Sequence, residues 1–247
     1  MHYIFDVDGT ISFDVRTIGA AIQAALVVLN QQHPVWFASA RPIRDLMPIV
    51  PQLDQSVLIG ANGAMVSRDQ QIQVMAPITT ADFEVVKQLI LSENLDYVVD
   101  GRWDLAVKVT TPNSILHQLD PARQAKRISL AEIDESVKII LLGLSSDQQQ
   151  KIHRQLSAET ELEIVGHAGE GNLDLTARKI NKLTTLRQLG VQDYVAFGND
   201  QNDLKMLTQA TTSVWINSKP KLAALGSQFD YQCEPADVAA MIQQLSC

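Results

Sequence analysis

Short, continuous apolar runs alternate along the chain with stretches in which apolar residues recur at helical spacing. Tyr3-Ile4-Phe5, Val35-Trp36-Phe37-Ala38 and Val57-Leu58-Ile59 read as strands buried on both faces. Between the first two, Ile18, Ile22, Leu26 and Leu29 trace one helix face, with Thr17 as its N-cap and Pro34 beyond its end. Pro42 suits the first turn of a second helix running to about Val50. From Lys182 the same rhythm returns. Leu183, Leu186 and Leu189 line a helix that Gly190 stops, and Tyr194-Val195-Ala196-Phe197 is a further buried strand. Short strands at Ser213–Ile216 and Phe229–Tyr231 alternate with helices near 219–225 and 235–245. Strands alternating with helices predict an α/β fold built on a parallel, doubly wound, Rossmann-like sheet.

The middle of the chain has another rhythm. Ala64-Met65-Val66 and Ile72-Gln73-Val74-Met75 flank a polar turn and read as a hairpin, after which Pro77 marks a hinge. The pattern then predicts a helix around Phe83–Leu91, strands near Tyr97–Val99 and Leu105–Val109, and a polar helix through Gln118–Arg127. A strand at Val137–Leu142, a Gln-rich helix from Asp147 to Leu156, and strands at Leu162–Val165 and Leu173–Leu175 follow. These elements form a second α/β module. The expected division is a core of residues 1–77 and 177–247 with residues 78–176 inserted.

Composition narrows the functions without naming one. With 46% hydrophobic and 19% charged residues, the 247-residue chain is an ordinary soluble globular protein. Its 28 acids against 20 bases, a net charge of −8, argue against nucleic acid as a partner, because that binding relies on clustered Lys and Arg. No apolar run approaches membrane-spanning length, and the first residues enter a strand with no signal-peptide pattern, so a cytoplasmic protein without a membrane partner is expected. Cys233 and Cys247 lack metal-ligand spacing and read as free thiols, although one disulfide is compatible with the sequence. His2, His33, His117, His153 and His167 form no zinc-type grouping. Gly169-Glu170-Gly171 has no P-loop pattern, and Trp103 reads first as packing and second as a pocket residue.

The candidate chemistry sits at strand ends, where open α/β sheets bind their ligands. The first strand runs straight into Asp6 and Asp8, and Gly9-Thr10 marks a tight turn. Two carboxylates so close repel unless a cation, a proton or a division of roles separates them. A hard divalent cation suits such oxygen ligands and bridges carboxylate to phosphate. One acid can then act as nucleophile towards phosphorus while the other moves a proton. Ser39 and Arg41 follow the second strand, where Ser39 by itself is equally a helix N-cap and Arg41 either faces a substrate or braces the loop. Asn62-Gly63 after the third strand is equally a plain turn. Lys182, with Arg178 and Lys179 as competitors, opens a helix, and Gly198-Asn199-Asp200-Gln201-Asn202-Asp203 follows the Tyr194–Phe197 strand.

Taken together, these segments resemble the four motifs of the haloacid dehalogenase superfamily, in family order and over essentially the whole chain. Phe5-Asp6-Val7-Asp8-Gly9-Thr10 is similar to its Phe-Asp-x-Asp-Gly-Thr signature. Ser39-Ala40-Arg41-Pro42 resembles the Thr-Gly-Arg-Pro of the Cof-type branch, with the Gly replaced, and Ala61-Asn62-Gly63 resembles that branch's Asn-Gly pair. Lys182 falls at the motif III lysine. Gly198 to Leu207 resembles Gly-Asp-x-x-Asn-Asp-x-x-Met-Leu, except that Asn199 stands at the first acid and Asp200 follows it.

The resemblance implies a Mg²⁺-dependent phosphatase acting on a small phosphorylated metabolite, a sugar phosphate foremost, through an aspartyl-phosphate. It implies Asp6 as nucleophile and Asp8 as acid and base. Thr10, Ser39, Arg41, Asn62, Lys182 and Asn202 would serve the phosphate or substrate, and Asp6, Asp8, Asn199 and Asp203 the metal. The position of the insert, after the third core strand, resembles the large α/β cap of Cof-type phosphatases. A monomer or weak homodimer is expected. Two other readings use the same residues: a phosphomutase or phosphotransferase, and a phospho-Asp signalling or binding module without turnover. The departure at Asn199 leaves open whether Asn199 or Asp200 completes a metal shell.

Overall fold

The computed structural model describes residues 1–14, 16–110, 113–167 and 171–246. The chain forms two compact units, residues 1–73 with 181–247, and residues 74–180. The expected insert, 78–176, falls four residues inside the second unit at either end: 77/78 against 73/74, and 176/177 against 180/181.

The first unit is built on an eight-stranded sheet with β1 (His2–Phe5) near its middle. On one side β1 pairs in parallel with β2 (Val35–Ala38), which pairs with β3 (Val57–Gly60). The sheet continues through β4 (Met65–Arg68), antiparallel to β3, to β5 (Gln71–Val74) at the edge. On the other side of β1 lie β11 (Tyr194–Gly198), β12 (Thr212–Ile216) and β13 (Tyr231–Cys233), all parallel. Strand order therefore reverses between β1 and β11, and the crevice beyond their carboxyl ends is the ligand position of a doubly wound sheet.

The continuous apolar runs explain why these strands sit in the middle. Ile4, Phe5, Phe37, Ala196 and Phe197 are fully buried. Phe5 and Phe197 are register partners whose rings stack at 4.6 Å between centroids. Each such ring contributes about 1.5–3 kcal/mol by burial. Helix α1 (Ala20–Asn30) covers the sheet with Ile22, Ala25, Leu26 and Leu29. Helices α5 (Lys182–Gln188), α6 (Leu204–Thr208) and α7 (Val238–Leu245) bury Leu186, Leu207 and Ile242.

The second unit has a five-stranded antiparallel sheet in the order β7 (Leu105–Lys108), β6 (Asp96–Gly101), β8 (Ser136–Leu142), β10 (Asn172–Thr176), β9 (Glu163–His167). Helices α3 (Thr80–Ser92) and α4 (Ser146–Glu159) belong to one apolar cluster with Ile139, Leu141 and Leu173. Ile140 and Leu142 point to the other face and join Val98, Leu105 and Leu119. Both faces of β8 are thus covered, which is why it reads as an unbroken apolar run. Lys138 and Asp174, on neighbouring β8 and β10, form a buried ion pair at 2.6 Å.

Several expected elements differ. The first helix begins at Ala20, and Thr17 instead joins a turn in which its amide and hydroxyl both donate to Asp14. The helix after Pro42, α2, covers only Ile43–Leu46. No helix occupies 118–127: Pro121 interrupts it, Asp120 and Arg123 take positive φ, and the Asp120 carboxylate accepts from the amides of Gln124 and Ala125. Strand β13 starts at Tyr231, and the carboxylate of Asp230 before it accepts from the amide and hydroxyl of Ser213. The helix near 219–225 is a 3-10 segment, Pro220–Gln228, and the last helix opens with a 3-10 turn, Pro235–Asp237. Among the described residues no helix is long and apolar enough to cross a membrane. Gly169, Glu170 and Cys247 lie outside the described residues.

Candidate active site

The carboxyl ends of β1 and β11 bring Asp6 and Asn199 together, and α5 carries Lys182 to Asp6 and Asp203. The Lys182 ammonium is fully buried and donates to Asp6 Oδ1 at 2.5 Å and to Asp203 Oδ1 at 2.7 Å. Thr10 Oγ1 donates to the other Asp6 oxygen at 2.8 Å. The turn that returns Thr10 to Asp6 is closed by the amides of Thr10, Ile11 and Ser12, all donating to Val7 O. Gly9 has φ +79° in this turn, and a Cβ there would lie 2.2 Å from Asn199 Nδ2, so both the backbone conformation and the approach of Asn199 require glycine.

Electrostatics follow from that burial. Desolvation and the Asp203 charge push the Asp6 carboxyl up to about 7, against the opposing pull of Lys182. Burial alone would lower the Lys182 pKa, but Asp203 and Asp6 outweigh it and raise it above the ordinary lysine value. Both partners of the 2.5 Å pair move upwards, Asp6 chiefly because it is desolvated and lies near Asp203, and Lys182 because it faces two carboxylates. Lys182 is therefore fixed as a cation, and Asp6 needs further positive charge to stay ionised.

Asp8 is set apart from this cluster. Arg41 holds it bidentately, Nε to Oδ2 at 2.7 Å and Nη2 to Oδ1 at 2.6 Å. Ser39, almost fully buried, accepts the Arg41 amide on its hydroxyl at 3.1 Å, a turn role that leaves its own hydrogen unused in that bond. Asn62 takes the left-handed conformation at φ 56° and its side-chain oxygen accepts from Asn202 Nδ2 at 2.9 Å. Its amide donates to Ser39 O, which joins the loops after β2 and β3.

Asp203 is occupied in a different way. Its Oδ2 accepts from the amides of Asn199 at 3.0 Å and Asp200 at 3.1 Å, while Oδ1 takes Lys182. With both oxygens engaged, it shapes the loop that presents Asn199. The Asp200 carboxylate caps the following 3-10 turn through the Gln201 amide and pairs with Lys219. Asn199, by contrast, reaches Asp6 Oδ2 and the Asp8 carbonyl at 3.3 and 3.1 Å, and Ser218 Oγ at 2.8 Å. Ser218 and Lys219 carry no motif and the sequence reading passed over them. Their position after β12, next to β11, was the available signal. Trp103, in the second unit, donates its indole N–H to Gln124 O at 3.1 Å.

The set is suited to a hard cation. Among the described residues no three His, Cys, Asp or Glu side chains gather as ligands. A carboxylate oxygen of Asp6, the main-chain oxygen of Asp8 and the Asn199 amide nevertheless meet within about hydrogen-bond distance, and oxygen donors of this mixed kind fit Mg²⁺.

A family model of haloacid dehalogenase-like hydrolases matches residues 3–227. The chain belongs to this family. Curated protein sequences contain no significant match to this haloacid dehalogenase-like hydrolase. Its fold is shared by solved structures at low identity. A haloacid dehalogenase-like hydrolase from Bacteroides thetaiotaomicron superposes with a TM-score of 0.81 at 16% identity, covering 99% of this chain and 100% of its own. One from B. subtilis gives 0.79 at 20% identity, covering 99% and 100%. A haloacid dehalogenase subclass IIB sugar phosphatase gives 0.76 at 19% identity, covering 100% and 99%.

Proposed function

We propose that this hydrolase is a Mg²⁺-dependent phosphatase of a small phosphorylated metabolite, a sugar phosphate foremost, working through an aspartyl-phosphate on Asp6. The observation that carries the reading is the Asp6 carboxylate at the end of β1, buried, raised towards neutrality, and fixed by Lys182 on one oxygen and Thr10 on the other. A nucleophile so held has its attacking geometry set before substrate arrives.

In the first half-reaction an Asp6 oxygen forms a bond to phosphorus as the bond to the leaving oxygen breaks. Asp8 gives that oxygen its proton. In the second half, water attacks the phosphorus of the aspartyl-phosphate, Asp8 takes the water's proton, and Asp6 is released as carboxylate with free phosphate. Lys182, Thr10 and the Ser39 hydroxyl supply positive charge and donors for the phosphoryl oxygens. Arg41 holds Asp8 bidentately, so the acid role requires the phosphate dianion to draw Arg41 away and Asp8 to take up a proton from solvent before the bond to the leaving oxygen breaks. Asp6, the Asp8 carbonyl and Asn199 would hold Mg²⁺, which supplies charge neutralisation between Asp6 and the phosphoryl group. The subclass IIB sugar phosphatase of like fold lends support to a sugar phosphate as substrate.

The test is hydrolysis of para-nitrophenyl phosphate with Mg²⁺ and with EDTA, beside Asp6→Asn. Turnover that needs Mg²⁺ and falls at least a thousandfold in Asp6→Asn, with an unchanged circular dichroism spectrum, is the expected result. Turnover retained in Asp6→Asn refutes the nucleophile.

A further inference from the structure

Asn199 can serve its surroundings from either end of its amide. With the oxygen turned inwards, it lies 3.2 Å from Thr10 Oγ1, whose single hydrogen goes either to it or to Asp6 Oδ2 at 2.8 Å, and Nδ2 donates outwards to Ser218 Oγ at 2.8 Å. The amide oxygen then stands against two further oxygens, Asp6 Oδ2 at 3.3 Å and the Asp8 carbonyl at 3.1 Å. With the amide turned over, Nδ2 donates to Asp6 Oδ2, Asp8 O and Thr10 Oγ1, and Oδ1 accepts from Ser218 Oγ at 2.8 Å.

The outer partner makes the turn inexpensive. A serine hydroxyl both donates and accepts, so Ser218 satisfies either end of the amide without moving. Thr10 is equally adaptable, because its hydrogen can go to Asp6 at 2.8 Å while its oxygen accepts from Asn199. Only the two inner oxygens of Asp6 and Asp8 discriminate. They favour the NH₂ when nothing else is between them, and they tolerate a third oxygen only around a cation.

We propose that Asn199 is a two-position ligand pivoting on Ser218. Its NH₂ faces inwards and ties Asp6 to the Asp8 carbonyl in place of the cation, and its oxygen turns inwards when Mg²⁺ binds. This rests on the Mg²⁺ reading above. It makes two claims of its own: the site stays assembled without the metal, and the metal binds more weakly than to a carboxylate at the same position. An aspartate at 199 has no N–H to offer. It adds a charge next to Asp6 and the Asp203-bound loop, so it must bind Mg²⁺ more tightly and hold the metal-free site less well.

The test uses the full chain and reads binding and stability without turnover. Mg²⁺ is titrated by calorimetry into wild type, Asn199→Asp and Ser218→Ala, and each is melted in EDTA. The side-chain amide resonances of Asn199 are assigned by their loss in Asn199→Asp and followed during the titration. Expected are Mg²⁺ binding at least tenfold tighter in Asn199→Asp, with a lower melting temperature in EDTA, and a shift of the Asn199 amide pair on saturation of wild type. Ser218→Ala leaves every carboxylate in place and should lower the EDTA melting temperature while weakening Mg²⁺ at least threefold, because the outer end of the amide loses its partner in both positions. Unchanged or weaker Mg²⁺ binding by Asn199→Asp overturns the proposal, as does an EDTA melting temperature at or above that of wild type. Ser218→Ala indistinguishable from wild type in both measurements also overturns it. Absence of phosphatase turnover with these binding differences intact would remove the phosphatase reading and leave the pivot standing.

Discussion

Replacing Lys182 by methionine tests the charge arrangement at the centre of the site. Methionine keeps the unbranched stem and much of the volume, so the change removes the ammonium with little effect on packing. Two charge-assisted hydrogen bonds disappear, to Asp6 at 2.5 Å and to Asp203 at 2.7 Å. At about 1.5–3 kcal/mol each, they sum to roughly 3–6 kcal/mol. Breaking a buried pair by removing one partner independently suggests about 3–5 kcal/mol. The overlap puts the loss near 4 kcal/mol, a large share of the 5–15 kcal/mol typical of a domain. Neither carboxylate is stripped entirely, since Asp6 keeps Thr10 and Asp203 keeps two backbone amides, which argues against the top of the range. Urea unfolding followed by tryptophan emission is the assay, because Trp36 and Trp215 are both buried in the first unit. With a slope of about 2 kcal/mol per molar urea, the midpoint should fall by about 2 M. In an Asp203→Asn background one of the two orphaned charges is already gone, so Lys182→Met should cost about 1–2 kcal/mol less there. A single-variant loss under about 1 kcal/mol, or strict additivity with Asp203→Asn, would refute the shared-lysine account.

Two smaller predictions follow from packing and from a buried thiol. A Cβ at Gly198 would lie 2.7 Å from Asp203 Cβ and 2.8 Å from Asp203 Cγ, so Gly198→Ala should cost about 1–3 kcal/mol in urea melts; a change within about 0.5 kcal/mol would show that the loop yields freely. The Cys233 thiol is pushed up to about 11 by burial, helped by Asp237 and Glu234. In a Cys247→Ser background it should resist an aromatic disulfide reagent at pH 8 and react on unfolding. The raised thiol also favours the folded state below its unfolded pKa, about 8.5, and that contribution should be lost as pH climbs towards 11. Rapid native labelling would contradict the burial.

Where the chain writes its structure in short-range patterns, those patterns were readable. Buried parallel strands leave no alternation to misread, so Tyr3–Phe5, Val35–Ala38 and Tyr194–Phe197 stood out as apolar runs and sit in the middle of the sheet. The polar stretch 118–127 shows the opposite case. Its composition suits a helix, but Pro121 and the left-handed Asp120 and Arg123 make it a turn stabilised by one aspartate. Within the site, the residue types at the strand ends were legible, and their division of labour was not. Asn199 and Asp200 are neighbours in sequence, and only the 3-10 turn decides that Asp200 points to Gln201 and Lys219 while Asn199 points to Asp6. Ser218 escaped notice because its proximity to Asn199 depends on β12 lying beside β11, a pairing no local pattern states.

The charges at the site have a logic that bears on why an amide is tolerated at position 199. Each acid is matched by a cation from a different element: Asp8 by Arg41, Asp200 by Lys219, and Asp6 and Asp203 together by Lys182. Four carboxylates against three cations leave a net charge of −1, carried by the pair that shares a lysine. With a divalent cation bound, the site would present a net positive charge to a phosphate dianion, whereas an aspartate at 199 would bring that charge to zero. In a buried crevice such a difference acts at low effective dielectric and attracts the anion accordingly. On the proposed reading, the asparagine would trade affinity for the metal against attraction for the phosphate. Such a trade would suit a protein whose overall charge of −8 gives an approaching phosphate no general attraction.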